Sequence, residues 1–242
     1  HKVLFGGFCE THTYRTANLS DKRWIWQLGS ESRPRPGNKH PPGGIGMLVD
    51  RGLSHSVVHA GKYVVWCRIE IEGSEPIFAA ECYFPHSTET KEHKQAWDEL
   101  EDKADEYRIN GHLLVMGDFN AHTGLDQSPV DTAGRLLLNR AESLGLHMIN
   151  GTPTCTGSIT RTEVKANGTC ASTAIDYVLV SQSLLPHVES MTILEDRMGS
   201  DHHPILLKLR NLRPSTGPDS SMRKVWKTEK IPHYKDEGKH SA

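Results

Sequence analysis

Read along the chain, apolar residues gather in short runs broken by Gly, Pro, Asn and Asp, a pattern that predicts strands joined by turns. The runs are Lys2 to Cys9, Arg23 to Leu28 (with Trp24, Ile25 and Trp26), Ile45 to Asp50 behind Gly43-Gly44, Tyr63 to Glu72, Ile77 to Tyr83, Leu113 to Met116, Leu146 to Ile149, Ile175 to Val180, Val188 to Leu194 and Ile205 to Leu209. Tyr63 to Glu72 alternates cleanly: Val65, Cys67, Ile69 and Ile71 fall on one face, and Arg68, Glu70 and Glu72 on the other. Gly73-Ser74 turns the chain into Ile77 to Tyr83, so these two segments predict a hairpin that Pro85 closes.

Two stretches switch to helical period. Thr88 to Arg108 repeats Trp97, Leu100, Ala104 and Tyr107 on one face, the mark of core packing. Thr132 to Leu144 predicts a second helix, with Gly145 at its C-terminal cap. Many strands, few helices and frequent hairpins speak against a regular βαβ protein. They predict an α/β (α+β) fold of two mainly antiparallel sheets packed face to face with helices outside. Glu31 to Pro42 reads as a loop dense in Pro, Gly and basic residues, including Arg33, Arg35 and Lys39. Gly151 to Ser172, with Arg161 and Lys165, reads as a long polar loop of the kind that often carries function. Beyond Leu212 apolar periodicity stops, which predicts a folded domain over 1–212 and a charged linker or disordered tail over 213–242.

Composition adjusts this picture only slightly. A hydrophobic share of 36% is low and agrees with long polar segments. A formal charge of −2 gives no global attraction for nucleic acid, so any basic surface must be local. The cysteines are odd in number, lack CxxC spacing and mostly sit in apolar context, as reduced thiols of an intracellular, reducing compartment do. No apolar run approaches membrane-spanning length, and no signal-peptide pattern opens the chain.

Polar groups stand beside apolar strands at Glu10, at Asp118 with Asn120, at Asp176, and at Ser200-Asp201-His202-His203-Pro204. Gly117, Asp118 and Asn120 each suit a simple turn, and Glu10 suits an ordinary surface position. Asp176 is harder to treat so, because it interrupts an apolar strand and a buried carboxylate needs a partner. His202 or His203 is the economical one. Carboxylate and amide oxygens without clustered Cys or His ligands suit Mg²⁺ or Mn²⁺ rather than zinc. Hydrolysis of a phosphodiester needs a cation, a base for water and donors for developing charge, and this set supplies candidates for all three.

The segments Glu10-Thr11-His12, Tyr83-Phe84-Pro85, Gly117 to His122, Ile175 to Ser181 and Ser200 to Ile205 resemble the endonuclease/exonuclease/phosphatase superfamily in type, order and separation. Within it, GDFNAH, SDHHP and the long polar connector look most like the endonuclease domain of a non-LTR retrotransposon. The resemblance implies a four-layer sandwich and a Mg²⁺-dependent (or Mn²⁺-dependent) phosphodiester hydrolase that nicks DNA. It implies that Glu10 ligates the metal, with Asp201 near the metal or supporting the histidine, and that Tyr83 contacts the phosphate. Asp118 would activate water, Asn120 would hold it and the phosphate, and Asp176 would orient His202 toward the phosphoryl oxygens. It further implies a monomeric domain in the nucleus, with a reverse transcriptase following the charged tail. The family's first strand carries a metal-binding Asn ahead of Glu10. Only the short segment His1 to Cys9 precedes Glu10 here and none of it is Asn, so the chain reads as truncated at its start, and His86 stands where the family often has Asn. A phosphodiesterase or phosphatase for a small molecule, lipid or RNA end, and an inactive copy retaining the fold, are the competing readings.

Overall fold

The computed structural model describes residues 3–12, 20–28, 43–86, 88 and 90–217. The basic loop Glu31 to Pro42 and the tail beyond residue 217 lie outside them. In chain order the elements are β1 (Phe5–Cys9), β2 (Trp24–Leu28), β3 (Ile45–Asp50), β4 (His55–Ala60), β5 (Val64–Ile69), β6 (Ile77–Tyr83), α1 (Lys91–Tyr107), β7 (His112–Asp118), α2 (Thr132–Ser143), β8 (Leu146–Met148), β9 (Cys155–Thr156), β10 (Arg161–Val164), β11 (Cys170–Thr173), β12 (Asp176–Ser181), β13 (Val188–Ile193) and β14 (Ile205–Leu209).

A six-stranded sheet, ordered β4-β5-β6-β7-β12-β8, forms the centre of the molecule. Its pairings are antiparallel except for β6 with β7, which α1 joins as a crossover. Side-chain alternation divides its residues between two cores. Trp66, Leu113, Val115, Tyr177 and Leu179 pack with Trp97 and Leu100 of α1 and Leu137 of α2. Val65, Cys67, Ile69, Leu114, Val178 and Val180 pack instead with Met47 and Val49 of β3 and Met191 of β13. The opposing layer consists of two three-stranded sheets, β1-β3-β2 and β14-β13-β9. The expected face-to-face sandwich is therefore present, with helices outside. Among the described residues both α-helices cover the same face of the six-stranded sheet.

Three local readings are corrected. His55 to Ala60 forms an unforeseen strand on the sheet's edge, where His and Ser leave too weak an alternation to read. Gly151 to Ser172 is not structureless, because β10 and β11 pair as a hairpin within it. That ribbon buries little apolar surface, so hydrophobic period could not disclose it. Asn167-Gly168 at its turn was the available sign, with Gly168 at φ 79°. Past Leu212, backbone bonds from Glu72 N to Arg213 O, Ser215 N to Glu70 O and Gly217 N to Gly52 O dock residues 213–217 against the edge of the sandwich.

An aromatic platform lies under the ends of the central strands. Phe84 stacks on Phe119 at 4.9 Å and also meets Trp97, while Phe119 meets Tyr177 edge-on at 6.0 Å. Tyr83, Asp118 and Asp176 each immediately precede one of these aromatics, so packing on one face fixes polar side chains on the other. Phe119→Ala is expected to cost about 3–5 kcal/mol in urea unfolding. A loss below about 1 kcal/mol would show that the platform does not brace the strand ends.

Candidate active site

Register brings the acidic residues together. Asp176, the first residue of β12, stands directly opposite Asp118, the last of β7. On the other side of β7, Asp118 pairs with Tyr83 of β6. The close approach of β6 to β7 requires Gly117, whose φ is +140° and whose added Cβ would lie 2.0 Å from the Cys82 carbonyl oxygen.

Asp118 is 3% exposed. Its Oδ1 accepts from the Asn120 N–H at 2.9 Å and its Oδ2 from the Asn120 side-chain amide at 3.3 Å. That amide also donates to the Phe84 carbonyl at 2.8 Å. Asn120 takes a left-handed backbone, φ 47°, to make this turn. Burial first, and then the Asp176 charge, push the Asp118 carboxyl well above the usual carboxylate range.

His202 Nδ1 lies 3.0 Å from both oxygens of Asp176. Burial lowers the imidazole's proton affinity, but the Asp176 hydrogen bond and charge, with Asp118 and Asp201, more than reverse this and hold its pKa above the ordinary imidazole value. With Nδ1–H committed to Asp176, Nε2 is the nitrogen left for a ligand. Ligand atoms of Asp118, Asp176 and His202 all lie within 4.8 Å of one another, and of these the two carboxylates can face a cation while the imidazole stays protonated. Carboxylate oxygens without thiolates are the donor type that suits a hard divalent cation.

Glu10 follows β1 with φ 49°, and its Oε1 accepts from the Tyr83 hydroxyl at 3.1 Å. Burial and the Glu10 charge keep that phenol protonated and therefore a donor. Asp201, like Glu10, stands outside the Asp118–Asp176–His202 grouping. Its Oδ2 accepts from Arg161 Nε at 2.8 Å, an ion pair that outweighs burial and holds the carboxyl below its usual range. Arg161, a basic residue of the long polar stretch, is thus engaged by Asp201. His203 is structural: its Nδ1 meets the Leu194 carbonyl at 2.8 Å and its Nε2 the Thr162 hydroxyl at 3.1 Å. His122 is a loop residue 3.6 Å from Asp126.

Sequence reading missed Glu81. It interrupts the apolar run of β6 much as Asp176 interrupts β12, so the signal was there. The residue is 4% exposed, and its carboxyl lies flush against Gly7 and accepts from the Cys9 thiol at 3.0 Å. Burial, aided by the Asp176 and Asp118 charges and opposed by the Cys9 bond, pushes it up to about 8 from 4.5. The folded state then holds a proton that the unfolded chain releases, so stability falls as pH rises from about 4.5 to about 8, by on the order of 5 kcal/mol. Thermal melts in EDTA are expected to show this slope, and Glu81→Gln to remove much of it while Asp118 sustains the remainder. An unchanged slope would refute the assignment.

A sheet-on-sheet sandwich with this cluster at its strand ends defines the endonuclease/exonuclease/phosphatase class. Residues 77–206, more than half of the chain, match the model of the family described as endonuclease-reverse transcriptase, and the chain belongs to that family. The fold is shared with the endonuclease domain of TRAS1, a telomere-specific non-LTR retrotransposon, at TM-score 0.62 and 18% identity over 76% of this chain and 80% of that one. It is also shared with the 3′ phosphatase NExo from Neisseria, bound to a product DNA hairpin, at TM-score 0.61 and 13% identity over 85% of this chain and 88% of that one. A family protein from Leptotrichia buccalis gives TM-score 0.56 at 15% identity, over 78% and 73%. Among curated proteins none matches. No helix among the described residues is long and apolar enough to cross a membrane.

Proposed function

We propose that the chain is a divalent-cation-dependent endonuclease domain that nicks one strand of DNA, as part of a retrotransposon polyprotein whose reverse transcriptase follows. The observation that carries this reading is the opposition of Asp118 and Asp176 in register, with His202 bonded to both oxygens of Asp176.

In this reading Asp118 orients a water molecule and takes its proton as the oxygen attacks phosphorus. Asn120 holds the Asp118 carboxylate through two contacts and leaves it one direction in which to act. His202, kept cationic by Asp176, donates from Nε2 to a phosphoryl oxygen as negative charge grows there. Tyr83 supplies a second donor once its hydroxyl turns from Glu10. Glu10, with the oxygens of Asp118 and Asp176, would hold Mg²⁺ or Mn²⁺, which supplies charge neutralisation at the phosphate when bound. Asp201 acts by tying its loop to Arg161 rather than by direct ligation.

The test is conversion of supercoiled plasmid to open circles with Mg²⁺, alongside Asp118→Ala and His202→Ala. Nicking that falls steeply with added salt and disappears in both variants is the expected result. Nicking that survives both would sink the assignment. The formal charge of −2 favours a second reading, a phosphodiesterase for a small substrate. Hydrolysis of bis(p-nitrophenyl) phosphate with intact plasmid would select it, and a cooperative melt unmoved by Mg²⁺ or Mn²⁺ would select an inactive copy.

A further inference from the structure

The pair formed by Asp176 and His202 stands where the sheet gives it least support. β8 pairs with β12 only at Leu179, Val180 and Ser181, so the segment of β12 that begins at Asp176 extends beyond its outer neighbour. Buried side chains replace the missing strand. Asn150 accepts from Val178 N at 2.9 Å and donates to the Asp176 carbonyl at 3.1 Å. The Thr160 hydroxyl accepts from Ile175 N and from Asp176 N, each at 3.0 Å. Thr160 is fully buried, and its main chain is equally occupied: its N–H donates to the Thr173 carbonyl at 2.9 Å and its carbonyl accepts from His203 N at 2.7 Å. One residue therefore grips the backbone of Asp176 through its side chain and the backbone beside His202 through its carbonyl. An isolated bridge between Arg161 and His202 continues the same contact.

We propose that Thr160 is a positioning residue for phosphodiester hydrolysis, setting the Asp176 carboxylate and the His202 imidazole at their mutual distance from the base of the β10–β11 hairpin. The inference rests on the reading of His202 given above. Thr160 touches no reacting atom and acts through the pair. The geometry it protects is demanding, because His202 Nδ1 is equidistant from both carboxylate oxygens. Loss of the hydroxyl acceptor leaves two buried N–H groups without a partner, and the end of β12 must shift to satisfy them.

The test measures kcat and KM for nicking of a duplex oligonucleotide with Mg²⁺ by the full chain. Thr160→Val keeps the shape and removes the acceptor, and is expected to lower kcat about 10–100-fold with KM changed less than about threefold. Thr160→Ser keeps the hydroxyl and is expected to stay within about threefold of the parent. Should Thr160→Val fail to fold, Thr160→Ala, which leaves room for water at the two N–H groups, is expected to give the same kcat-specific loss at smaller size. The double variant with His202→Ala is the deciding arm: Thr160→Val is expected to add almost nothing once the imidazole is gone. If it imposes its full effect on that background, or if Thr160→Ser falls as far as Thr160→Val, the positioning role is overturned and Thr160 serves the fold alone. If His202→Ala itself leaves kcat intact, the reading of the pair and this proposal fall together.

Discussion

Asp118→Asn is expected to reduce plasmid nicking by about three orders of magnitude while the protein melts at a higher temperature than the parent in EDTA at pH 8. The two halves have one cause. Asn has nearly the shape of Asp and retains an acceptor for the Asn120 N–H, so the turn survives, but its amide cannot take a proton from water. The parent carboxylate is buried and faces Asp176, which is why its pKa lies above the usual carboxylate range. A raised carboxyl pKa means that the ionised group opposes folding above the unfolded-state value, and a neutral amide removes that opposition. Activity and stability moving in opposite directions would mark a site built for chemistry at the expense of stability. A folded variant with activity within about tenfold of the parent would exclude Asp118 as the water-activating group.

Asp176→Asn is expected to lower kcat by about 100-fold to 10,000-fold and to move the alkaline limb of its pH profile to lower pH. His202 must be protonated to donate to the phosphoryl group, and that form is lost as pH rises through the imidazole pKa. In the parent, Asp176 holds that pKa above the ordinary imidazole value, so activity persists to higher pH than a free imidazole would allow. An amide has no charge with which to do so. The same linkage makes the pair stabilising at pH values below the unfolded imidazole pKa, with the contribution lost as pH rises through the folded value. An alkaline limb that does not move in Asp176→Asn would show that His202 is not the group being titrated.

The sandwich was legible because its strands carry paired signals. Val65, Cys67 and Ile69 announce one buried face, and Gly73-Ser74 announces the hairpin. Burial of β5 on both faces was harder to read, since Val64 and Trp66 pack against α1 while the charges lie at the strand's far end. The spacing of Trp97, Leu100, Ala104 and Tyr107 gave α1 directly, and the Thr90 cap, accepting from His93 N, starts it. Bringing Asp118, Asn120, Asp176 and His202 together is a tertiary event between segments far apart in the chain. Motif order implied it, whereas periodicity had no access to it. Thr160, Asn150 and the Arg161–Asp201 ion pair were not legible, because they depend on where β8 ends and where the hairpin docks. A polar residue in a polar stretch carries no mark of being buried.

The alternation of polar and aromatic residues at the strand ends bears on which changes in length the chain tolerates. Tyr83-Phe84, Asp118-Phe119 and Asp176-Tyr177 each place a polar group on one side of the sheet and a ring on the other. Deleting one residue within β6, β7 or β12 would exchange the sides, driving a carboxylate or phenol toward the helices and a ring toward the cleft. Two-residue changes preserve the sides but shift the register, so that Tyr83 or Asp176 no longer stands beside Asp118. Loops such as the Lys165–Thr169 turn have no such parity, so variation in length among relatives should accumulate there and stop at the strands.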